Sequence, residues 1–141
     1  MSYNIYAFSN FKQVLEYIND EISKLNRKIA DLSAQYNIVK RKAEKMKKIE
    51  EAFSQLLGTK IGGVNEIDLM GIKVIVGSRA VDELKVYEEV LLSLQERLEA
   101  LMKARKVLEP LSKVIGEGEG ISILLETLNG LPLKILLSES R

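Results

Sequence analysis

The 141-residue chain contains neither cysteine nor histidine. Without cysteine, disulfides, iron–sulfur clusters and thiolate zinc sites are excluded. Without histidine, the chain lacks the commonest general base and the commonest metal ligand. Adjacent carboxylates such as Glu88 and Glu89 do not converge on one helix face, so no general acid/base pair is evident. We therefore expect a protein that is not an enzyme and that binds no metal or cofactor.

Long apolar runs and an excess of one charge are also missing. No run approaches the roughly 20 apolar residues that span a membrane, and residues 1–5 lack the features of a signal peptide. The net charge is +1, so no general field favours nucleic acid. Hydrophobic residues make up 46% and charged residues 29% of the chain, a balance typical of folded proteins. These features predict a cytoplasmic protein without membrane segments.

The strongest positive signal is an apolar repeat that begins at Phe11. Its intervals alternate four and three, which is the heptad pattern of a coiled coil. Ser9 or Asn10 suits the N-cap and Gly58 suits the C-terminal stop, so we predict a helix over residues 10–57. Such a long helix with one apolar stripe needs partners along its length. The stripe contains Phe11, Leu15, Ile18, Ile22, Leu25, Ile29, Leu32, Tyr36, Val39, Ala43 and Met46.

Residues 58–77 predict a β connector rich in glycine. The β-branched segment Ile72–Val76 follows Gly71 and reads as a strand. A weaker strand between Val64 and Met70 would pair with it through a turn near Met70. Because a lone two-stranded hairpin is marginal in water, we expect it to join other strands, in this chain or in another subunit.

Residues 79–115 predict a second helix with a break near Pro110, which lacks the N–H that a helix needs. Its apolar repeat starts at Val81, shifts after Leu101, and resumes at Ala104, Leu108, Leu111 and Ile115. Folding this helix back on the first would place the basic residues 40–48 opposite about 89–97, an acidic region. Charge therefore favours an antiparallel hairpin, and this neighbour explains the basic cluster better than nucleic acid does.

The C-terminal region, residues 120–138, predicts a second β hairpin. Two β-rich runs flank Asn129 and Gly130, the strongest short hairpin signal. Both faces are partly apolar, so a helix, the central strands or another subunit must cover them. Tyr3, Tyr6 and Phe8 would either pack on this hairpin, which we favour, or hook a partner. To an oligomer interface we assign Ile121, Ile123, Leu125, Leu133 and Ile135.

The predicted fold is α+β and mainly α, a single elongated domain over residues 1–141. It consists of an antiparallel two-helix coiled-coil hairpin with a central β hairpin and an extra C-terminal β hairpin. Three segments carry a family resemblance: Gly71-Ile72-Lys73-Val74-Ile75-Val76, Ala80-Val81-Asp82-Glu83-Leu84-Lys85 and Leu94-Gln95-Glu96-Arg97-Leu98-Glu99-Ala100-Leu101.

Together with the order of the predicted elements, these three segments show that residues 10–110 resemble a prefoldin subunit of the β type. The resemblance implies an ATP-independent holdase subunit whose central hairpins join into a platform and whose coiled coils grip unfolded polypeptides. The C-terminal hairpin has no counterpart in such a subunit. The implied platform residues are Ile67, Leu69, Ile72, Val74 and Val76, and the implied client-binding residues are Phe8, Phe11, Val14, Leu15, Leu111 and Ile115.

A second interpretation remains open beside the holdase. The chain could be a structural or adaptor protein that forms a homo- or hetero-oligomer through its apolar seams and C-terminal hairpin and docks one specific protein partner. A nucleic-acid-associated coiled coil ranks third and an enzyme last.

Overall fold

A computed structural model describes residues 2–57, 65–76, 80–115 and 120–139. Within them the chain is α+β and mainly helical, with a three-stranded antiparallel sheet in the order β1-β4-β5 and a two-stranded sheet of β2 and β3. The elements are β1 (Tyr3–Phe8), α1 (Phe11–Leu57), β2 (Asn65–Leu69), β3 (Ile72–Val76), α2 (Ala80–Ile115), β4 (Ile121–Leu128) and β5 (Leu131–Glu139).

The single domain predicted from the sequence divides into two compact units. Unit 1 comprises Met1–Ile29 and Ser93–Arg141, and unit 2 comprises Ala30–Leu92. Both helices contribute residues to both units. Unit 1 contains the three-stranded sheet and unit 2 contains the two-stranded one.

Helix α1 begins one residue after the predicted start, and its N-terminus is capped as the sequence suggests. The Asn10 side-chain oxygen accepts a hydrogen bond from the Gln13 amide (2.9 Å), and the Gln13 side chain accepts one from the Ser9 amide (2.8 Å). These two bonds satisfy amides that have no partner within the helix. Helix α2 continues through Pro110 to Ile115, so the helix does not end and restart at Pro110. Pro110 is exposed. Because proline has no N–H, the backbone carbonyl four residues earlier accepts no hydrogen bond from it and is left to bind water.

Strand β1 was not predicted as a strand. It pairs antiparallel with β4, with Tyr6 opposite Leu125 and Phe8 opposite Ile123. Tyr6 and Phe8 are half-buried, and their rings contact Tyr17 of α1 with centroid distances of 4.8 and 6.0 Å. Burial, together with a hydrogen bond and charge interaction with Tyr6, raises the pKa of Tyr17. The aromatic cluster therefore joins the N-terminal strand to the first helix.

Both predicted hairpins are present, and their turns need positive φ angles. Asn129 and Gly130 connect β4 to β5 with φ of 53° and 81°, and Met70 and Gly71 connect β2 to β3 with φ of 52° and 89°. Two consecutive positive φ angles match the twist of a two-residue hairpin turn. Glycine reaches this region without steric cost, whereas a side chain such as that of Met70 is strained there.

Among the described side chains, all buried apolar residues except Ala43 lie in unit 1. On β4, alternate residues Ile123, Leu125 and Thr127 are fully buried, so one face of the sheet is covered. The helices contribute the rest of this core. Its apolar members are Phe11, Val14, Ile18, Ile22, Leu25, Leu94, Leu101, Leu108, Ile123 and Leu125. Among the described side chains of unit 2, Ala43 is the buried apolar residue.

Candidate protein-binding site

Helix α2 carries two apolar lines in unit 1, and the core covers one of them. Leu94, Leu101 and Leu108 recur every seven residues and are buried. Seven residues are nearly two helical turns, so these side chains lie in one line. A second line runs beside it and stays open to solvent. We call it the outer stripe; it consists of Ala100, Ala104, Val107, Leu111 and Val114.

The outer stripe is the more exposed of the two lines by a wide margin. Val107, Leu111 and Val114 are 65%, 42% and 84% exposed, while Ala100 and Ala104 are half-buried. The intervals along the stripe are four, three, four and three, the spacing by which one helix packs along another. The stripe is therefore a heptad seam whose C-terminal members, Val107, Leu111 and Val114, are exposed, while Ala100 and Ala104 are partly covered.

The sequence pattern alone did not separate the two lines. The predicted repeat Ala104, Leu108, Leu111, Ile115 takes members from both of them, because a broad apolar face admits more than one path at heptad spacing. The signal that would have separated them is the pair Val107 and Val114. These residues are seven positions apart and each lies one position before a predicted core residue.

Hydrogen bonds join α1 to α2 within each unit. In unit 2 the Tyr36 hydroxyl donates to Glu88 (2.9 Å) and the Tyr87 hydroxyl donates to Gln35 (3.2 Å). The hydrogen bond to the Glu88 carboxylate raises the pKa of Tyr36. Glu88 thus lies beside Tyr36. In an antiparallel pair with this register, residues 89–97 lie beside residues before 36, so the register predicted for the basic residues 40–48 is wrong. In unit 1 the Arg105 guanidinium donates to the Asn19 side chain (3.2 Å).

The residues predicted for an oligomer interface fall into four groups. Ile72 and Leu133 are exposed, and Ile121 and Ile135 are half-buried. Ile123 and Leu125 are fully buried within their own chain, so assigning them to an interface is wrong. Their face of the sheet is already covered. The side chains of the remaining four lie outside the described residues: Ile67, Leu69, Val74 and Val76.

The residues implied as client-binding are also divided. Phe11 and Val14 are buried core, at 1% and 0% exposure, so they are not available to a client and this assignment is corrected. The reason is that strand β1 and the C-terminal hairpin form a sheet where free helix ends were expected. Leu111 is exposed and belongs to the outer stripe. Half-buried members of the set are Phe8, Leu15 and Ile115.

The outer face of the three-stranded sheet is a second exposed apolar surface. On it Leu124 of β4 lies between Ala7 of β1 and Leu136 of β5. Leu124 and Leu136 are exposed, and so are Tyr3 and Ile5 of β1 on the same side of the strand register. Glu126 and Lys134 form an adjacent cross-strand pair on this face. The surface is therefore apolar with a charged row across it.

No protein-family model matches the chain, and neither a curated protein nor a solved structure matches it. Within the described residues, neither helix has a stretch that is long and apolar enough to cross a membrane. The same described residues hold no group of three or more acidic side chains placed to bind a metal ion.

Proposed function

We propose that this protein is a non-catalytic coiled-coil adaptor that oligomerises through the outer stripe of α2 and thereby presents a docking platform for a protein partner. The observation that carries the proposal is the exposure of Val107, Leu111 and Val114 at heptad spacing. A helix surface with this pattern is stable in water mainly when another helix covers it. A monomer that kept it open would retain an unusual apolar patch.

The helices of one copy would form an antiparallel coiled-coil hairpin. The hydrogen bonds between Tyr36 and Glu88 and between Arg105 and Asn19 support this arrangement, since each joins α1 to α2 inside its own unit. The heptad repeat of α1 supports it as well, because Ile18, Ile22 and Leu25 of that repeat are buried.

The residue types in the outer stripe favour a bundle of more than two helices. In heptad terms, leucine occupies the a position at 111 and valine occupies the d positions at 107 and 114. Leucine at a with a β-branched residue at d shifts coiled coils from dimers toward trimers and tetramers. Two copies joined stripe to stripe would bring four helices together, which suits this preference.

Replacing Leu111 with glutamate should therefore break the oligomer. A charged side chain in a helix–helix interface costs several kcal/mol unless it is paired. We expect the wild-type chain to elute as a dimer or larger oligomer in size-exclusion chromatography with light scattering, and Leu111→Glu to elute with the mass of one chain.

Met102→Glu is the matched control for this experiment. Met102 is also on α2 and is 45% exposed, but it is not part of the outer stripe. Its replacement should leave the mass unchanged. A monomeric wild-type protein, or equal loss of mass in both variants, would remove the outer stripe as the oligomer interface.

The second candidate function is a prefoldin-like ATP-independent holdase. The observation that favours it is the outer sheet face, where Tyr3, Ile5 and Leu136 are exposed. Weak contacts of this kind, repeated in an oligomer, would retain non-native chains through avidity.

A holdase should slow the aggregation of several unrelated unfolded proteins without ATP. We expect Ile5→Lys to weaken this activity at least severalfold, because a cation on the apolar face opposes contact with apolar segments. Lys134→Arg, on the same face with its charge retained, is the control. If the wild-type chain leaves the light scattering of all clients unchanged, the adaptor function stands alone.

A further inference from the structure

Arg97 of α2 is a half-buried arginine whose charge is unpaired within the described residues. One Nη2 hydrogen bond goes to the backbone carbonyl of Asn129 (2.8 Å). The Nε atom is buried and has no hydrogen-bond partner among the described protein groups. No described carboxylate lies within the 4.0 Å limit of an ion pair with it. Arg105, on the same helix, differs in having Glu109 at 4.0 Å and Asn19 at 3.2 Å.

A guanidinium that is half-buried and unpaired favours the binding of an anion. Partly buried charges are normally paired, because removal from water disfavours the ion unless an opposite charge replaces the solvent. Arginine has five N–H donors in a planar fork, and the Asn129 carbonyl occupies one direction of that fork. An oxyanion bound at the guanidinium donors that face the cleft would provide the missing counter-charge, while the buried Nε atom is out of its reach.

Arg97 borders a wide, open cleft of about 620 Å³. Ser93 on α2 and Ser2 before β1 add hydroxyl groups, and none of the described residues that line the cleft is acidic. The Asn129 side-chain oxygen accepts a hydrogen bond from the Ser2 amide (3.0 Å), which leaves its NH₂ group as a further donor. Leu131 adds an apolar wall. The polar groups are thus mainly donors, beside one apolar surface.

We propose that this cleft binds a carboxylate attached to an apolar group, such as the C-terminal end of a peptide, with Arg97 and Ser93 as the binding residues. The planar fork of arginine matches the two oxygens of a carboxylate, and Leu131 lies where an apolar group next to the carboxylate can pack. Ser93 and Arg97 lie on the same side of α2 as Ala100 and Ala104, about one turn before them, so binding is measured both in the wild-type chain and in Leu111→Glu.

The test is a titration of the full chain followed by two-dimensional ¹⁵N NMR at constant pH and ionic strength. The probes are N-acetyl-leucine, its uncharged twin N-acetyl-leucinamide, and inorganic phosphate. We expect N-acetyl-leucine to shift the Arg97 Nε–H and Gly130 resonances saturably. Its affinity should exceed that of the amide by at least about tenfold, the factor expected for a charge-assisted hydrogen bond.

Variants separate a binding role from a merely structural one. Arg97→Gln should lower the affinity for N-acetyl-leucine at least about tenfold, and Ser93→Ala severalfold. Ser93 is exposed on a helix, so its replacement by alanine retains the fold and keeps the test valid even if Arg97→Gln loosens the turn. Arg105→Gln is the matched control and should bind like wild type.

Three results would overturn the proposal. One is equal affinity for the acid and the amide, and another is wild-type binding by both Arg97→Gln and Ser93→Ala. The third is saturation by phosphate alone, which would replace the carboxylate with an inorganic anion as the ligand. Loss of oligomerisation in Leu111→Glu with binding of N-acetyl-leucine retained would show that the two sites are independent.

Discussion

Replacing Phe11 with alanine should lower the free energy of unfolding by about 3–5 kcal/mol, the range for removing a buried phenylalanine ring. Phe11 is 1% exposed and is the first residue of α1, directly after the aromatic strand β1. Alanine would leave a cavity in the core to which α1, α2 and the three-stranded sheet contribute side chains. Urea unfolding followed by circular dichroism measures the change as a lower midpoint.

Met102→Ala is the comparison for Phe11→Ala. Met102 is 45% exposed, and its shortening should cost no more than about 1 kcal/mol, since surface substitutions away from the core have small effects. If Phe11→Ala were equally mild, Phe11 would not be a core residue, and its role as a client-binding side chain would return. The result therefore shows whether Phe11 is a core residue or a side chain available to a client.

Replacing Gly130 with alanine should lower the free energy of unfolding by about 2.5–5 kcal/mol, for two separable reasons. The first is the backbone, because Gly130 has φ of 81°, and a Cβ in that region costs about 1–2 kcal/mol. The second is steric, because an added Cβ would lie 2.9 Å from Nη2 of Arg97. The guanidinium would have to move away and lose its bond to the Asn129 carbonyl, a charged hydrogen bond of about 1.5–3 kcal/mol.

Gly120→Ala isolates the backbone contribution. Gly120 is in the same unit and has φ of 86°, with no atom within 4 Å of an added Cβ, so it should lose only about 1–2 kcal/mol. In an Arg97→Ala background, Gly130→Ala should cost the same smaller amount. Unfolding curves of the four chains form a double-mutant cycle. Equal costs of Gly130→Ala with and without Arg97 would show that the arginine does not hold the turn.

Local signals predicted the elements that depend on contiguous residues. The heptad repeat predicted α1 over 10–57, and the helix spans Phe11–Leu57. Asn129-Gly130 predicted the C-terminal hairpin, and both residues have the positive φ that this turn requires. In these cases the deciding interactions are within a few residues of one another, so the pattern in the sequence carries them.

Strand β1 was missed because its pairing is remote. Tyr3 pairs with Leu128 at the far end of the chain, and a short aromatic segment does not indicate which strand it will join. The assignment of Ile123 and Leu125 to an oligomer interface was wrong for the same reason, namely that it depends on contacts remote in sequence. Alternation predicts that they share a face, but only the packed helices determine that this face is buried inside the chain.

The sequence by itself determined the two long helices, both hairpin turns and the absence of cysteine and histidine chemistry, since composition and short-range periodicity are enough for these. The tertiary structure alone decided which apolar line of α2 is core and which is exposed, and it alone brought Ser2, Arg97 and Asn129 to one cleft. Helical periodicity places side chains around an axis. Which of those sides meets the rest of the chain depends on residues far away in sequence.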